Sequence, residues 1–267
     1  MNIIMICHIF CYRTLNTGRH EEILLFQAKF FSRNMIVIWI KHLTNRTCKV
    51  LLLYCFLIIS FIKGIQIKGI DCFGIPDTKC IYNVIAIANY RNIIRNTMAH
   101  SDNNTCDFLI DFVGGISVVD SLIRQLGINK FAFSETEKTM HENILNCYNN
   151  WCTPSSMVLF LKKIYTEPIL NNDHFLFLEQ VMIETSTGTN KIKAGLPADV
   201  ILGHKTGSSD RTKSGIKIGD NDAGIIYLPH NKRCYIAIFI KDSKENDTAN
   251  AKIIADITEK IYEMIIR

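Results

Sequence analysis

The chain has 267 residues, of which 48% are hydrophobic and 21% charged, so it fits one large or two small folded domains and is not a disordered chain. The net charge of +5 is mild and is not gathered into a basic stripe with interleaved aromatic residues, so we expect no nucleic-acid partner. The ten cysteines form neither Cys-x-x-Cys pairs nor a zinc-type spacing, which predicts small buried hydrophobic residues and neither a metal site nor a disulfide framework.

Residues 1–80 form a segment of different character, dense in Ile, Leu, Phe and Cys and poor in turn residues. The pattern over 21–31 predicts an amphipathic helix, and 35–40 and 49–59 predict buried strands. The 13-residue, mostly apolar run 50–62 resembles a signal-peptide core but is too short to span a bilayer comfortably. We favour a buried core segment over a membrane or signal segment for this run, and expect no stable membrane insertion.

From about residue 85 the pattern becomes helical, and turn residues mark the ends of the helices. Gly114-Gly115 breaks one helix, Gly127 fits a C-terminal cap, and Thr153-Pro154 is typical of a helix start with threonine as the N-cap. These signals and the helical spacing predict helices over 90–99, 106–113, 117–126, 154–165 and 174–184. We expect this helical part to occupy about 85–190.

Three strands and a closing helix are predicted after the helical part, in about 195–267. The strands are expected over 200–206, 223–228 and 234–241. The closing helix, over 249–265, carries an apolar stripe at helical spacing, formed by Ile253, Ile254, Ile257, Ile261 and Ile265. The order of helices, antiparallel meander and closing helix predicts an α/β (α+β) fold in one domain over 81–267.

Two short motifs, 104 residues apart, contain the residue types that indicate a reactive site. Residues 204–207 read His-Lys-Thr-Gly, and Ser101-Asp102-Asn103 lies upstream. A lysine and a hydroxyl on one strand, facing a serine and an amide from a loop, make a pocket for a carboxylate beside an acyl group. Each motif alone has an ordinary structural explanation, because a strand can end in such a turn and Ser and Asp are common helix N-caps.

The two motifs, together with Ser-x-x-Lys, are the signature of class A β-lactamases and penicillin-binding proteins. The chain resembles that family over residues 95–262, and the segment ETEKTMHEN at 135–143 is similar to its extended-spectrum branch. The resemblance implies a serine β-lactamase fold, with an antiparallel sheet flanked by terminal helices and a helical subdomain. Six segments follow the order of the family: SDNNTCDFLIDFVGG, NWCTPSSM, ETSTGTNKIKAGLP, HKTGSS, NDAGIIYLP and IIADI.

The strand motif supplies one wall of the implied site. The ammonium of Lys205 can bind the substrate carboxylate and lower the pKa of nearby hydroxyls, and Thr206 offers a hydroxyl to the same carboxylate. Gly207 lets the ligand approach the strand backbone. The backbone N–H of Ser208 is the implied second donor of an oxyanion hole, which contributes on the order of 3 kcal/mol in acyl transfer.

The loop motif and a glutamate supply the other implied roles. Ser101 would relay a proton to the departing lactam nitrogen, and Asn103 would bind the side-chain amide of the substrate. Glu137 matches the glutamate that activates water for deacylation. Glu135 lies two residues earlier and is the alternative assignment; His141 stands where most of the family has Asn.

The nucleophile has to come from outside the two motifs. Acylation needs a serine with a lysine one helical turn later, and two such strings occur, Ser60–Lys63 and Ser214–Lys217. The second follows the Lys-Thr-Gly motif and is therefore in the wrong place. The first has the better context, since Phe56 precedes it where the family places a phenylalanine.

Spacing counts against Ser60 as the nucleophile. Only 41 residues separate it from Ser101, and the glycines and proline that follow Lys63 disfavour a long helix, since they cost about 1 and about 3 kcal/mol per helical position. The alternative is that Ser60 is a hydroxyl in a buried strand, and that the N-terminal third is truncated, rearranged or unrelated to the family.

The resemblance implies hydrolysis of the β-lactam ring of penicillin- and cephalosporin-type antibiotics, and hence resistance to them. The alternatives are a catalytically inactive or truncated relative and a penicillin-binding peptidase. The expected partner is a small β-lactam, with no metal or organic cofactor, in a monomer. Export to the periplasm or secretion is implied by the family, although no clear signal peptide is visible in this sequence.

Overall fold

The computed structural model describes residues 91–266 continuously and, before them, the backbone of four strands. These strands are β1 (Ile6–Thr14), β2 (Glu21–Phe31), β3 (Met35–Trp39) and β4 (Thr47–Cys48). The segments 49–59 and 50–62 lie outside the described residues, and so do Ser60 and Lys63.

The helix predicted over 21–31 is wrong, because these residues form strand β2. β2 pairs antiparallel with β1 along nine residues on one side and with β3 on the other. A short apolar segment can fit both the helical and the strand periodicity. Here the ladder hydrogen bonds to two neighbouring strands stabilise the extended conformation. The strand predicted over 35–40 is confirmed as β3 and is one residue shorter.

The main sheet has six strands in the order β3-β2-β1-β9-β8-β7, and the pairs described within it are antiparallel. The predicted meander is confirmed as β7 (Leu202–Ser208), β8 (Lys217–Leu228) and β9 (Lys232–Ser243). A small second sheet has the order β4-β6-β5, with β5 at Phe131–Ala132 and β6 at Trp151–Cys152. Because β1 pairs with β9, strands from residues 1–80 join the same sheet; the domain division at residue 80 stays a prediction.

The predicted helices are confirmed to within a few residues at each end. Gly114, Gly115 and Gly127 have positive φ at the predicted breaks, and the Thr153 hydroxyl caps its helix by accepting from the backbone N–H of Ser156 at 3.2 Å. The helices are α1 (helical over 91–99), α2 (Asn103–Phe112), α3 (Ile116–Gln125), α4 (Glu137–Glu142), α5 (Pro154–Thr166), α6 (Asn172–Ile183) and α7 (Asp247–Ile265). Short 3₁₀ helices occupy Ile144–Tyr148 and Ile192–Gly195.

Strand β9 divides the interior into two cores because successive side chains of a strand point to opposite faces. Tyr235 and Phe239 join the larger core with the helical layer, whereas Ile236 and Ile238 face α7 in the smaller one. Four of the five predicted isoleucines of α7 are buried there, at positions 254, 257, 261 and 265. The closing helix therefore covers one face of the sheet, and the helices of the first half cover the other.

The cysteines of the described region behave as small hydrophobic residues, as predicted. Within residues 91–266 all four are buried, with exposed fractions of 4% or less: Cys106, Cys147, Cys152 and Cys234. Within the described residues, the helices are too short or too polar to cross a bilayer.

Candidate active site

A cleft opens between the start of α2, the segment 134–150 and the end of β7. Five residues singled out from the sequence line it: Ser101, Asn103, Glu137, Gly207 and Ser208. They come from three elements that are far apart in the chain. The remaining lining residues come from α4, the 3₁₀ helix that follows it, and the turn after β7, and they include His141 and Asp210.

The Lys205 side chain joins the two motifs. It is fully buried, and its Nζ donates hydrogen bonds to the Ser101 Oγ at 2.6 Å and to the Thr206 carbonyl at 2.7 Å. Because the ammonium is a donor only, the Ser101 hydroxyl accepts this bond and keeps its own proton for another acceptor. That arrangement is suited to a serine that passes a proton to a group in the cleft.

Ser101 and Asp102 have separate tasks, although both were candidates for a helix cap. Asp102 is the N-cap of α2, with Oδ1 accepting from the backbone N–H of Thr105 at 2.7 Å. Ser101 has φ +60°, a left-handed conformation that is uncommon for a residue with a side chain. Such strained residues cluster at functional sites, and capping accounts only for Asp102.

The two glutamates that competed for one role differ in environment. Glu137 is buried, with 8% of its surface exposed, and lines the cleft as the first residue of α4. Glu135 is half-buried, and its Oε1 accepts a hydrogen bond from the side chain of Asn149 at 2.8 Å. The geometry therefore favours Glu137 over Glu135 as the carboxylate that faces a ligand.

Asp107, which the sequence analysis did not single out, holds Glu137 in position. Its two carboxylate oxygens accept hydrogen bonds from the backbone N–H groups of Glu137 and Lys138, each at 2.8 Å. Asp107 lies four residues after Asn103 on α2, so both side chains lie on the same face of the helix. That spacing is the sequence signal that could have revealed it.

Asn150, which the sequence analysis also did not single out, connects the two ends of the segment 134–150. Its Oδ1 accepts from the backbone N–H groups of Ser134 and Glu135, at 2.8 and 2.9 Å, and its Nδ2 donates to the Glu135 carbonyl at 2.8 Å. The side chain is buried, with 2% exposed. One amide thus joins the two ends of a segment that carries Glu137 and His141 into the cleft.

On the sheet side, Thr206 is set back from the cleft. Its hydroxyl shares a hydrogen bond of 2.7 Å with the hydroxyl of Thr187, and among the described residues it is not one of those lining the cleft. Gly188, with φ +69°, makes this packing possible, because a Cβ there would stand 2.3 Å from the Thr206 Cγ2. The role of Thr206 towards a carboxylate stays a prediction.

Behind β7 lies a buried pair that fixes the strand. His204 lies on β7 diagonally across from Asp222 of β8, which pairs with Thr206, and the His204 Nδ1 and Asp222 Oδ1 atoms are 2.9 Å apart. Asp222 also accepts from the backbone N–H of Ile192 at 3.1 Å. These contacts secure β7 at the residue immediately before Lys205.

Residues 83–265, more than half of the chain, match the sequence model of the β-lactamase enzyme family. The chain belongs to the β-lactamase enzyme family. A solved class A β-lactamase that is 30% identical to this chain confirms the predicted family.

The most similar relatives of this β-lactamase family member include a β-lactamase of Bacteroides uniformis, 45% identical over 174 residues. That match covers 65% of this chain and 59% of the relative. The extended-spectrum β-lactamase PER-1 of Pseudomonas aeruginosa is 33% identical over 177 residues, covering 66% of this chain and 57% of the relative. The chain thus matches somewhat more than half of the length of these relatives.

The similarity to solved structures covers nearly the whole chain. A class A β-lactamase of Bacteroides cellulosilyticus has a TM-score of 0.72 at 30% identity, covering 98% of this chain and 92% of that one. The extended-spectrum β-lactamase TLA-1 has a TM-score of 0.75 at 28% identity, covering 97% of this chain and 93% of that one. The expected class A β-lactamase fold is therefore confirmed.

The second Ser-x-x-Lys string of this β-lactamase family member is not a catalytic pair. Ser214 is exposed in a turn and shares a hydrogen bond of 2.9 Å with Thr212, whereas the Lys217 ammonium lies 3.0 Å from the Asp247 carboxylate. Ser60 and Lys63, the other string, lie outside the described residues. Their role as nucleophile and partner base stays a prediction.

Proposed function

We propose that this chain hydrolyses the β-lactam ring of penicillin- and cephalosporin-type antibiotics through a serine acyl-enzyme, and so confers resistance to them. The observation that carries the proposal is the convergence on one cleft of Ser101, Glu137 and Ser208, to which the family motifs assign proton transfer, deacylation and oxyanion binding. Family membership over residues 83–265 supports it.

The first proposed step forms the acyl-enzyme. A serine hydroxyl, assigned to Ser60, loses its proton to Lys63 and attacks the lactam carbonyl carbon. The C–N bond breaks, the ring nitrogen takes up a proton from Ser101, and the proton held by Lys63 replaces the one that Ser101 has lost. The 2.6 Å contact with the Lys205 ammonium supports this relay, because it leaves the Ser101 hydroxyl proton available to the nitrogen. The negative charge on the carbonyl oxygen is stabilised by the N–H of Ser208, by roughly 3 kcal/mol.

The second proposed step releases the product. The Glu137 carboxylate takes a proton from a water molecule, whose oxygen attacks the ester carbon. The ester bond breaks, the proton passes from Glu137 to the serine oxygen, and an acid leaves. A buried carboxylate at a cleft can be tuned for this task. Asp107 supports it by holding the first turn of α4 through two backbone hydrogen bonds.

The decisive experiment is mass spectrometry of the intact protein after incubation with a penicillin. We expect a covalent adduct on a serine, and expect it to accumulate in Glu137→Gln because deacylation is lost. Glu135→Gln is the matched control, and we expect it to turn over like the parent protein. If the parent chain forms no adduct and leaves the penicillin intact, the proposal fails and the inactive relative is the correct interpretation.

The same experiment separates the hydrolase from a penicillin-binding peptidase. A peptidase would retain the adduct in the parent chain, and Glu137→Gln would change nothing. We propose that the chain acts in the periplasm, as the family implies, and that it is a monomer. Fractionation of the expressing cells and light scattering of the purified protein test these two points.

A further inference from the structure

A closed set of hydrogen bonds lies behind Ser208 and takes no part in the reaction described so far. The Lys191 Nζ and the Asp220 Oδ1 are 2.5 Å apart, and both groups contact the Ser208 hydroxyl. The hydroxyl oxygen accepts from Lys191 at 3.0 Å, and the hydroxyl donates to Asp220 at 2.7 Å. Each of the three polar groups is thus bonded to the other two.

Both charged residues of this set are buried, with 6% of Lys191 and 2% of Asp220 exposed. Asp220 lies between two ammonium groups, since the Lys217 Nζ is 3.6 Å from its other carboxylate oxygen. Buried charges are expensive, and a buried ion pair is weak evidence for stability, because well-packed apolar residues often do as well. A role in function therefore explains the burial of Lys191 and Asp220 better than a role in stability does.

The connection to the cleft runs through Ser208. Among the described residues, the lining of the cleft includes Ser208 but neither Lys191 nor Asp220. Ser208 is the last residue of β7, and Asp220 is its cross-strand partner on β8. Pairing is weakest at the end of a strand, and Gly207 before it has no side chain to fix its conformation. The backbone N–H of Ser209 donates to the Gly219 carbonyl at 2.8 Å, and the Ser208 side chain adds a further bond from this end of β7 to β8.

We propose that Asp220, together with Lys191, is a positioning residue for acyl transfer that acts through the Ser208 side chain. The pair draws the hydroxyl out of the cleft towards β8 and thereby holds the backbone N–H of Ser208 at the position where the carbonyl oxygen of a β-lactam develops its charge. This inference rests on the proposed hydrolysis and adds a residue to it. It concerns bonds that stabilise the transition state, so it predicts an effect on kcat rather than on KM.

The test is a double-mutant cycle on penicillin hydrolysis in the purified full chain, with Ser208→Ala and Asp220→Asn. We expect each single variant to lower kcat about tenfold with little change in KM. We expect the double variant to be no slower than Ser208→Ala, because Asp220 acts only through the hydroxyl that this variant lacks. Ser209→Ala is the matched control; its buried hydroxyl accepts from the backbone of Gly219 at 3.1 Å, and kcat should stay at the parental value.

If Asp220→Asn fails to fold, Lys191→Met replaces it in the cycle, since its charge is removed while its length is kept. Additive losses in the double variant, or an unchanged kcat in Ser208→Ala, would overturn the positioning role while leaving the hydrolysis intact. A parent chain that forms no penicillin adduct would overturn both, so the two failures are told apart by the parent protein alone.

Discussion

The two walls of the cleft are held together by different interactions. The helical wall, from α2 to residue 150, depends on single polar side chains that bind backbone groups, as Asp107 and Asn150 do. The sheet wall, from β7 to β8, has a continuous backbone ladder, and its buried polar side chains bond both across the ladder, as in His204–Asp222, and to the segment before it, as in Asp220–Lys191.

This difference predicts different sensitivities to substitution. In the helical wall, one side chain determines where Glu137 stands, so its loss moves a reacting group. In the sheet wall, the ladder maintains the backbone within the strands, so a substituted side chain there changes charge and hydrogen bonding locally. The end of β7 is the exception, because the Ser208 side chain bonds to Asp220 at that point. Substitutions in the two walls can therefore be separated by which step of the reaction they slow.

The largest effect is expected for Lys205→Ala in the sheet wall. This variant removes the ammonium that donates to the Ser101 hydroxyl, and we expect acylation by a penicillin to slow by roughly 10²- to 10³-fold. The measurement is the rate at which the acyl adduct appears in quenched reactions, followed by mass spectrometry. Lys193→Ala is the matched control, because Lys193 donates to the Val200 carbonyl at 2.7 Å, outside the described lining of the cleft. Acylation within threefold of the parent rate in Lys205→Ala would remove Lys205 from its assigned role.

A smaller effect on the other step is expected for Asp107→Ala in the helical wall. Two backbone N–H groups lose their acceptor, Glu137 shifts, and deacylation should slow by about 10- to 100-fold, since a displacement of about 1 Å can cost 10²-fold. The acyl adduct should therefore accumulate while its formation rate is unchanged. Asp111→Ala, an exposed aspartate one turn later on α2, is the control and should show no accumulation. Equal slowing of both steps would mean that the two walls are not independent.

The two walls also differ in how far the sequence revealed them. Ser101 and Lys205 were found although 104 residues separate them, because each lies in a motif with ordered neighbours. Asn150 was missed because a lone polar residue that binds a distant backbone leaves no local pattern. Asp107 was missed although its spacing of one turn from Asn103 places both on the same helix face. The same reasoning applies to the fold: the α7 stripe was predicted from its own periodicity, whereas β2 was mistaken for a helix because its strand partners, and not its spacing, determine its conformation.

Asn150→Ala should affect stability more than catalysis. The backbone N–H groups of Ser134 and Glu135 lose their acceptor, which should lower the free energy of unfolding by about 1–3 kcal/mol. Denaturant unfolding measures this loss. Asn149→Ala, which removes one exposed hydrogen bond to Glu135, is the matched control and should cost less than about 0.5 kcal/mol. A parental unfolding free energy in Asn150→Ala would show that the segment 134–150 is held by other contacts.

The smallest effect is expected where the helical layer meets the sheet away from the cleft. Tyr227 on β8 donates to Glu179 of α6 at 2.8 Å and shares a hydrogen bond of 3.0 Å with Tyr165 of α5. Burial, the largest cause, raises the pKa of Tyr227 well above its ordinary value near 10, and the neighbouring Tyr165 hydroxyl adds to this.

The unfolded chain therefore releases the Tyr227 proton at a lower pH than the folded chain, so the stability contributed by this group is present below about pH 10 and falls as the pH rises above it. Tyr227→Phe should lower the free energy of unfolding by about 1 kcal/mol at pH 8 and should make its decline above pH 10 shallower. Tyr262→Phe, on the half-exposed side of α7, is the control for the loss of one phenol. An identical alkaline decline in Tyr227→Phe and the parent chain would show that the junction between the two layers does not depend on the protonated phenol.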